Sequence, residues 1–128
     1  MRLCPCDSMM PYQLCCGPLI SGERPAPTAL ALMRSRYTAY AEGAVDYLLL
    51  TYASEVRSKV DPAAIRAGMD GVEWMGLEIV SVLDGQPAHA QGQVEFLAHY
   101  ARGGEHLTVH ERSRFVREDG LWRYLDGI

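Results

Sequence analysis

Four cysteines near the N-terminus are the residues whose types and spacing best suit a chemical site in this sequence. They are Cys4, Cys6, Cys15 and Cys16, and they follow the pattern C-x-C-x₈-C-C, with no further cysteine in the chain. A disulfide within either close pair would be strained, because the two Cα atoms of a disulfide must be well separated. Crossed disulfides would need an oxidising compartment, whereas clustered cysteines in a reducing one are more often metal ligands.

The cysteine spacing predicts one structural zinc ion. Tetrahedral zinc takes four thiolates at about 2.3 Å, and a complete set of four leaves no coordination position for water or substrate. Direct Lewis-acid catalysis by the ion is therefore not expected. Three alternatives stay open, namely a reduced segment without metal, a redox thiol cluster and an iron–sulfur cluster.

The stretch over residues 4–18, C-P-C-D-S-x₆-C-C-G-P, resembles the SEC-C motif. This small zinc element is found at the C-terminus of the SecA translocation motor and in many other bacterial proteins. In the motor, the motif is implied to dock an acidic chaperone. Family members commonly carry lysines before the second cysteine pair, whereas this chain has Met9, Met10, Pro11 and Gln13 there. The chaperone is therefore not carried over, and the expected partner of the zinc knuckle is left as another, unspecified protein.

Four further stretches resemble the uncharacterised YchJ-like family of bacteria. They are LMRSRYTAY, VEFLAHY, HERSRFVRE and WRYLDG, so the resemblance covers nearly the whole chain. In that family a SEC-C segment precedes a domain that resembles nuclear transport factor 2, a cone-shaped α+β fold. The resemblance therefore implies a zinc motif over residues 1–22 and a nuclear transport factor 2-like domain over residues 28–128.

The helices are expected between this motif and residue 70. Residues 23–27 are predicted to be a linker, because prolines and glycines are concentrated around them, and the knuckle is expected to fold apart from the domain. Thr28 can then cap a helix that ends at Gly43. Two shorter helices are predicted over residues 45–52 and 61–69, the second of which opens with an Asp-Pro pair.

The hydrophobic period changes to two at residue 72, which predicts strands for the rest of the chain. These strands run to a turn at residues 84–85, then over about 88–102, 106–117 and 121–126, with glycine-containing turns between them. Three helices followed by this meander predict an α+β fold, in which the helices pack on one face of a curved four-stranded antiparallel sheet. The cone shape is implied by the resemblance alone.

Composition and charge narrow the function classes. The chain has 128 residues, of which 48% are hydrophobic, as in a soluble domain with one main core. Its longest apolar run is far shorter than the roughly 20 residues of a membrane span, and no secretory signal precedes the cysteines. The net charge is -4, so no nucleic-acid partner is expected. We therefore expect a cytoplasmic protein with neither a membrane nor a nucleic-acid partner.

A second candidate site lies on the predicted third strand. Glu111 and Ser113 share a strand face with the apolar residues Leu107, Val109 and Phe115, which are predicted to belong to the core. A buried carboxylate needs a donor. Arg34, on the flank of the first helix, is the expected partner of Glu111, whereas Arg36 is expected to point outward.

Two interpretations of this second site are kept. The polar residues either line a pocket or form a buried structural network that locks the sheet to the first helix. The pocket candidates are Arg34, Tyr40, Glu95, Glu111, Ser113 and Tyr124. His110 is not paired with Glu111 in either interpretation, because neighbours on a regular strand face opposite sides.

The sequence thus predicts a zinc-binding module for protein interaction or for a small-molecule ligand. The alternative is an enzyme that uses the pocket, with Glu111 as the base, for acid/base chemistry on a small organic substrate. An open, polar-lined cavity would favour ligand binding or catalysis, and a sealed network would favour the interaction module.

Overall fold

The computed structural model describes residues 2–128, in which the helices precede a four-stranded sheet. A 3₁₀ helix over Tyr12–Leu14 is followed by α1 (Cys16–Ile20), α2 (Ala29–Glu42), α3 (Val45–Leu50), α4 (Ser54–Arg57), α5 (Pro62–Met69), β1 (Val72–Asp84), β2 (Gln91–Arg102), β3 (Glu105–Glu118) and β4 (Leu121–Gly127). The predicted α+β class is confirmed. No helix of the described part is long and apolar enough to cross a membrane.

The two main helices begin and end where their capping residues predict. The Thr28 side chain accepts a hydrogen bond from Ala31 N at 3.0 Å, and Gly43 closes α2 with a φ of 74°. Asp61 caps α5 in the same way. The helix predicted over residues 45–52 is shorter, because Tyr52 leaves it to form a parallel bridge with Tyr124. Two short helices, α1 and α4, were not predicted.

The sheet is an antiparallel meander in the order β1-β2-β3-β4. Both Gly103-Gly104 and Asp119-Gly120 have two positive φ values, which suits the twist of two-residue hairpin turns. Irregularities in the strand register interrupt β1 on either side of Leu77 and β4 beside Phe115. Because such bulges increase local twist, they help to curve the sheet around α2.

The start of helix α2 packs closely against the sheet beside the turn between β1 and β2. The Ala29 N–H donates to Gly85 O at 2.9 Å, and a Cβ at Gly92 would lie 2.5 Å from Gly85 Cα. The concave face is open at the other end of the sheet, where β3 begins. Leu107 and Val109, predicted to be core residues, are therefore 39% and 36% exposed, and of the predicted apolar face only Phe115 is fully buried.

The cysteine segment shares its core with the sheet and α2, which corrects the expectation that it folds apart. Cys4, Cys6 and Cys16 are at most 3% exposed and belong to the same buried cluster as Leu32 and Phe96. Residues 23–27 contain no helix or strand. These residues connect the cysteine segment to the domain, but they do not separate the two into different cores, because the cysteine segment folds back onto α2.

Candidate metal centre and cavity

The four cysteine sulfurs form one cluster. All four Sγ atoms lie within 4.8 Å of one another, with 3.6 Å between Cys6 and Cys15 and 3.9 Å between Cys15 and Cys16. Cys4 and Cys6 stand on a loop whose backbone closes through the bond from Cys4 N to Met10 O at 2.8 Å. Cys16 opens α1. The arrangement allows all four sulfurs to ligate a single metal ion.

Hydrogen bonds from both sides orient the sulfurs. Ser8 Oγ lies 3.1 Å from Cys15 Sγ, and Thr38 Oγ1, on α2, donates to Cys16 Sγ at 3.3 Å. Hydrogen bonding with the Cys16 thiol lowers the pKa of Cys6, which favours its thiolate form.

Arg34 serves this cluster and not the pocket for which it was predicted. Its Nη1 donates to Cys6 O at 2.7 Å and lies 3.9 Å from Cys6 Sγ. The expected contact between Arg34 and Glu111 is therefore wrong. The reason is that the cysteine loop folds back onto the flank of α2 where Arg34 stands, and the Cys6 carbonyl there accepts a hydrogen bond from the guanidinium.

A cavity of about 250 Å³ lies between α2, the segment after α3 and the concave face of the sheet. Most of its lining is aromatic or aliphatic, with a few polar groups. The lining residues are Met33, Arg36, Tyr37, Tyr40, Tyr52, Trp74, Phe96, Ala98, Val109, Glu111, Ser113 and Tyr124. Since Val109 is 36% exposed, the cavity reaches solvent at that end. Four of the six predicted pocket residues, Tyr40, Glu111, Ser113 and Tyr124, therefore meet in one open cavity.

Glu111 is the acidic group of this lining. Its Oε2 accepts a hydrogen bond from Ser113 Oγ at 2.7 Å and one from Tyr124 Oη at 3.4 Å. A Cβ at Gly127 would overlap the carboxylate, so the glycine gives Glu111 its space. Neutral hydroxyl groups thus hold the carboxylate, and no cationic side chain among residues 2–128 lies within ion-pair distance of it.

Arg36 is buried in the lining, which corrects the expectation that it points outward. It is 4% exposed, and its guanidinium lies between the rings of Tyr52 and Tyr124, with Cζ 4.4 Å and 4.6 Å from their centroids. Its Nη1 donates to Leu48 O at 3.0 Å and to Thr51 Oγ1 at 2.6 Å. The faces of two aromatic rings and the hydrogen-bond acceptors at the end of α3 therefore replace the hydration that the guanidinium loses on burial.

Three tyrosines of the lining, Tyr37, Tyr40 and Tyr124, are hydrogen-bond donors at neutral pH. Burial raises the pKa of Tyr37 and of Tyr40 to about 12, and burial also raises the pKa of Tyr124. Each phenol therefore keeps its proton, and none of the three adds a negative charge to the cavity.

Glu95 lies on the outer face of the sheet, so its prediction as a pocket residue is wrong. Its carboxylate accepts bonds from His110 Nε2 at 2.7 Å and from Arg112 at 3.3 Å, and the hydrogen bond with His110 lowers its pKa. The neighbouring Phe96 faces the cavity, which is the strict alternation of a strand. The same alternation separates His110 from Glu111, as predicted.

Eight of the twelve lining residues were not among the pocket candidates, including the polar or aromatic residues Arg36, Tyr52 and Trp74. Arg34 and Arg36 flank the apolar stripe of α2 on opposite sides, so the helical period does not distinguish them. Trp74 faces the cavity, and its ring centroid lies 5.6 Å from that of Tyr37. Its distance in sequence from α2 left no signal for this contact.

Comparison with known proteins identifies the relatives of this chain. A family model described as the YchJ middle NTF2-like domain matches residues 28–127. A UPF0225 protein of Streptomyces coelicolor is 48% identical over 125 residues, which are 97% of this chain and 93% of that protein.

Two solved structures of proteins described as containing a SEC-C motif are similar over almost the whole chain. The solution structure from Rhodopseudomonas palustris has a TM-score of 0.91 at 37% identity and covers 99% of this chain and 98% of that one. The crystal structure from Psychrobacter arcticus has a TM-score of 0.85 at 28% identity and covers 98% of this chain and 81% of that one.

Proposed function

This chain belongs to the YchJ-like family, whose middle domain has the nuclear transport factor 2-like fold, and from that premise we propose that it binds a small molecule in a cavity supported by a structural zinc ion. The observation that carries this proposal is the open cavity at Glu111. A sealed network would have favoured a purely structural role, whereas this cavity reaches solvent beside Val109 and carries polar groups among aromatic walls.

Zinc fits the cysteine cluster in donor chemistry and in spacing. Four thiolates at about 2.3 Å from a tetrahedral ion stand about 3.8 Å apart. The separations of 3.6 Å and 3.9 Å between Cys15 and its two neighbours match that edge. Because the four sulfurs complete the coordination, the ion stabilises the fold and does not bind the ligand.

The zinc cluster supports the cavity through α2. Thr38 and Arg34 contact the cysteine segment, while Met33, Tyr37 and Tyr40 on the same helix face the cavity. The cysteine loop also reaches the sheet, because Asp7 accepts a hydrogen bond from Leu77 N at 3.0 Å. An ion that fixes the loop therefore fixes two walls of the cavity.

The size of the cavity sets the size of the ligand. Sites for drug-sized molecules enclose about 300–1,000 Å³. A cavity of about 250 Å³ suits a smaller molecule, of the size of a single ring with a short side chain.

Ligand-observed NMR with a set of small aromatic molecules tests the binding role. Val109→Trp should block the mouth of the cavity and abolish binding, because this partly exposed side chain stands at the opening. Val82→Trp is the matched control, since Val82 is 42% exposed on β1 and does not line the cavity. Binding that is absent in the wild type, or that is equal in both variants, would reject the proposal.

A second proposed role is protein interaction through the zinc knuckle, the segment over residues 2–22. Three apolar side chains of this segment favour it, since Leu3, Met9 and Leu14 are 54%, 72% and 60% exposed. Native mass spectrometry of the protein from bacterial cytosol tests this role. A stoichiometric protein partner should be lost in Met9→Ser with Leu14→Ser, and retention of the partner by that variant would exclude this surface.

The enzymatic alternative uses the same cavity. Glu111 would take a proton from the bound molecule, with Tyr124 or Ser113 as the neighbouring donor. Chemical conversion of a bound molecule, abolished by Glu111→Gln, is the result that would favour it over simple binding. We expect either activity in the bacterial cytoplasm, where the four thiols stay reduced.

A further inference from the structure

We propose that the cavity takes a small zwitterion, with its ammonium group at Glu111, its carboxylate at Arg36 and a flat apolar body between the aromatic walls. This inference rests on the proposed binding function and names the chemical class of its ligand. Its basis is a pair of opposite charges that face one cavity without forming an ion pair.

Glu111, the negative member of the pair, has one carboxylate oxygen without a hydrogen-bond donor among the described residues. Both hydrogen bonds to Glu111 reach Oε2, from Ser113 and Tyr124, while Oε1 lies over Gly127 and accepts no hydrogen bond from residues 2–128. A carboxylate with an unused oxygen in a cavity lined by aromatic rings suits an ammonium group, which would gain a charge-assisted hydrogen bond and contact with the ring faces.

The positive member also has unused donors. Arg36 makes its hydrogen bonds through Nη1 alone, so Nε and Nη2 have no acceptor among the described residues. A ligand carboxylate would supply an acceptor for these unused donors of Arg36.

The two charges select against a ligand with only one. Neither Arg36 nor Glu111 lies within 4.0 Å of an oppositely charged side chain in the described part of the chain. A ligand with a positive charge alone would pair with Glu111 but leave the Arg36 guanidinium without a counter-charge. A ligand with a negative charge alone would pair with Arg36 and leave Glu111 without one. A molecule that carries both charges compensates both groups.

The rest of the lining selects the body of the ligand. Phe96 and Ala98, which lie opposite Glu111 and Val109 on the neighbouring strand, and Met33 on α2 add apolar surface to the same lining. A volume of about 250 Å³ accommodates a single aromatic or branched aliphatic group beside the zwitterionic head. Apolar amino acids and their close analogues have this composition.

Four probes with the same phenylethyl body separate the contributions of the two charges. They are L-phenylalanine, 2-phenylethylamine, 3-phenylpropanoate and 2-phenylethanol, and their dissociation constants for the zinc-loaded wild type are measured by NMR titration. L-phenylalanine should bind at least about tenfold more tightly than any of the other three, because each singly charged analogue loses one charge-assisted contact.

Substitution of each charge should change the ranking in a defined direction. With Glu111→Gln, L-phenylalanine should lose its advantage over 3-phenylpropanoate. With Arg36→Gln, it should lose its advantage over 2-phenylethylamine. Arg36 also holds the end of α3, so thermal unfolding must first show that this variant is folded; the wild-type ranking and Glu111→Gln decide the question without it.

The outcomes separate this inference from the binding function on which it rests. If the amine, the acid or the alcohol binds as tightly as L-phenylalanine, the ligand class is wrong and the binding cavity stands. The ligand class is also wrong, and the binding cavity also stands, if none of the four probes binds while other aromatic molecules bind to the wild type but not to Val109→Trp. If no molecule of either set binds, both proposals fail.

Discussion

Arg34 Nη1 donates a hydrogen bond of 2.7 Å to the backbone oxygen of Cys6, which joins the longest helix to the cysteine loop. On the same helix, Thr38 reaches Cys16. The cysteine cluster is thus attached to the element that forms one wall of the cavity, and a change at the cysteines is transmitted to α2 by direct contacts.

Removal of the metal should therefore perturb much more than the cysteine segment. Because three of the four cysteines are buried in the common core, release of the ion leaves their thiols there without ligation and lowers the melting temperature. Amide NMR spectra with and without a chelator should show changes along α2 and around Leu77, reversed by added zinc. Changes confined to residues 2–22 would show that the segment folds on its own.

Arg34→Met should lower both the free energy of unfolding and the affinity for zinc. The substitution leaves Cys6 O without its donor, and a lost hydrogen bond to a buried group costs about 1–3 kcal/mol. Chemical unfolding and a competition titration with a zinc indicator measure the two effects. Arg24→Met is the control, since Arg24 is exposed and its contact with Leu14 O is long, at 3.4 Å. Equal effects of the two substitutions would contradict the role assigned to Arg34.

Gly92→Ala should destabilise the fold by about 1–3 kcal/mol, because its Cβ would lie 2.5 Å from Gly85 Cα and 3.2 Å from Ala29 Cβ. The start of α2 would then be pushed off the sheet. Gly68→Ala is the matched control, since a Cβ at this position in α5 meets nothing within 4 Å, and alanine should stabilise the helix by up to about 1 kcal/mol. Thermal unfolding of the two variants should shift the melting temperature in opposite directions.

Ser113→Ala should cost about 1–3 kcal/mol of stability, because it removes the shorter of the two hydrogen bonds that hold the Glu111 carboxylate. Ser81→Ala removes a comparable serine donor from Glu95 on the outer face of the sheet, at 3.2 Å, and should have almost no effect because water replaces it. Denaturant unfolding of both variants makes the comparison. A neutral Ser113→Ala would mean that the cavity carboxylate is held by other groups.

Local sequence signals predicted the helices and strands of the domain. They succeeded where a single residue determines where an element begins, ends or turns. Thr28 and Asp61 start their helices, Gly43 ends α2, and the glycine pairs turn the strands. Strand alternation placed Glu111 and Ser113 on one face because no bulge interrupts β3 against β2 between them. These features depend on neighbours in sequence.

The predictions that failed depend on contacts between distant segments. The cysteine loop folds back onto α2, which takes Arg34 away from the cavity, and the turn of the chain after α3 brings Tyr52 beside Arg36. Neither the helical period nor composition contains this information. Glu95 is the exception, because its alternation with Phe96 along β2 is a local signal that places it on the outer face of the sheet.

Native mass spectrometry of the wild type and of Val109→Trp, each purified without chelator and exposed to the same small aromatic molecules, tests the central claim most directly. The account predicts one zinc ion per chain in both proteins and a bound small molecule in the wild type alone. A chain without metal, or equal binding of the small molecules by the two proteins, would contradict it.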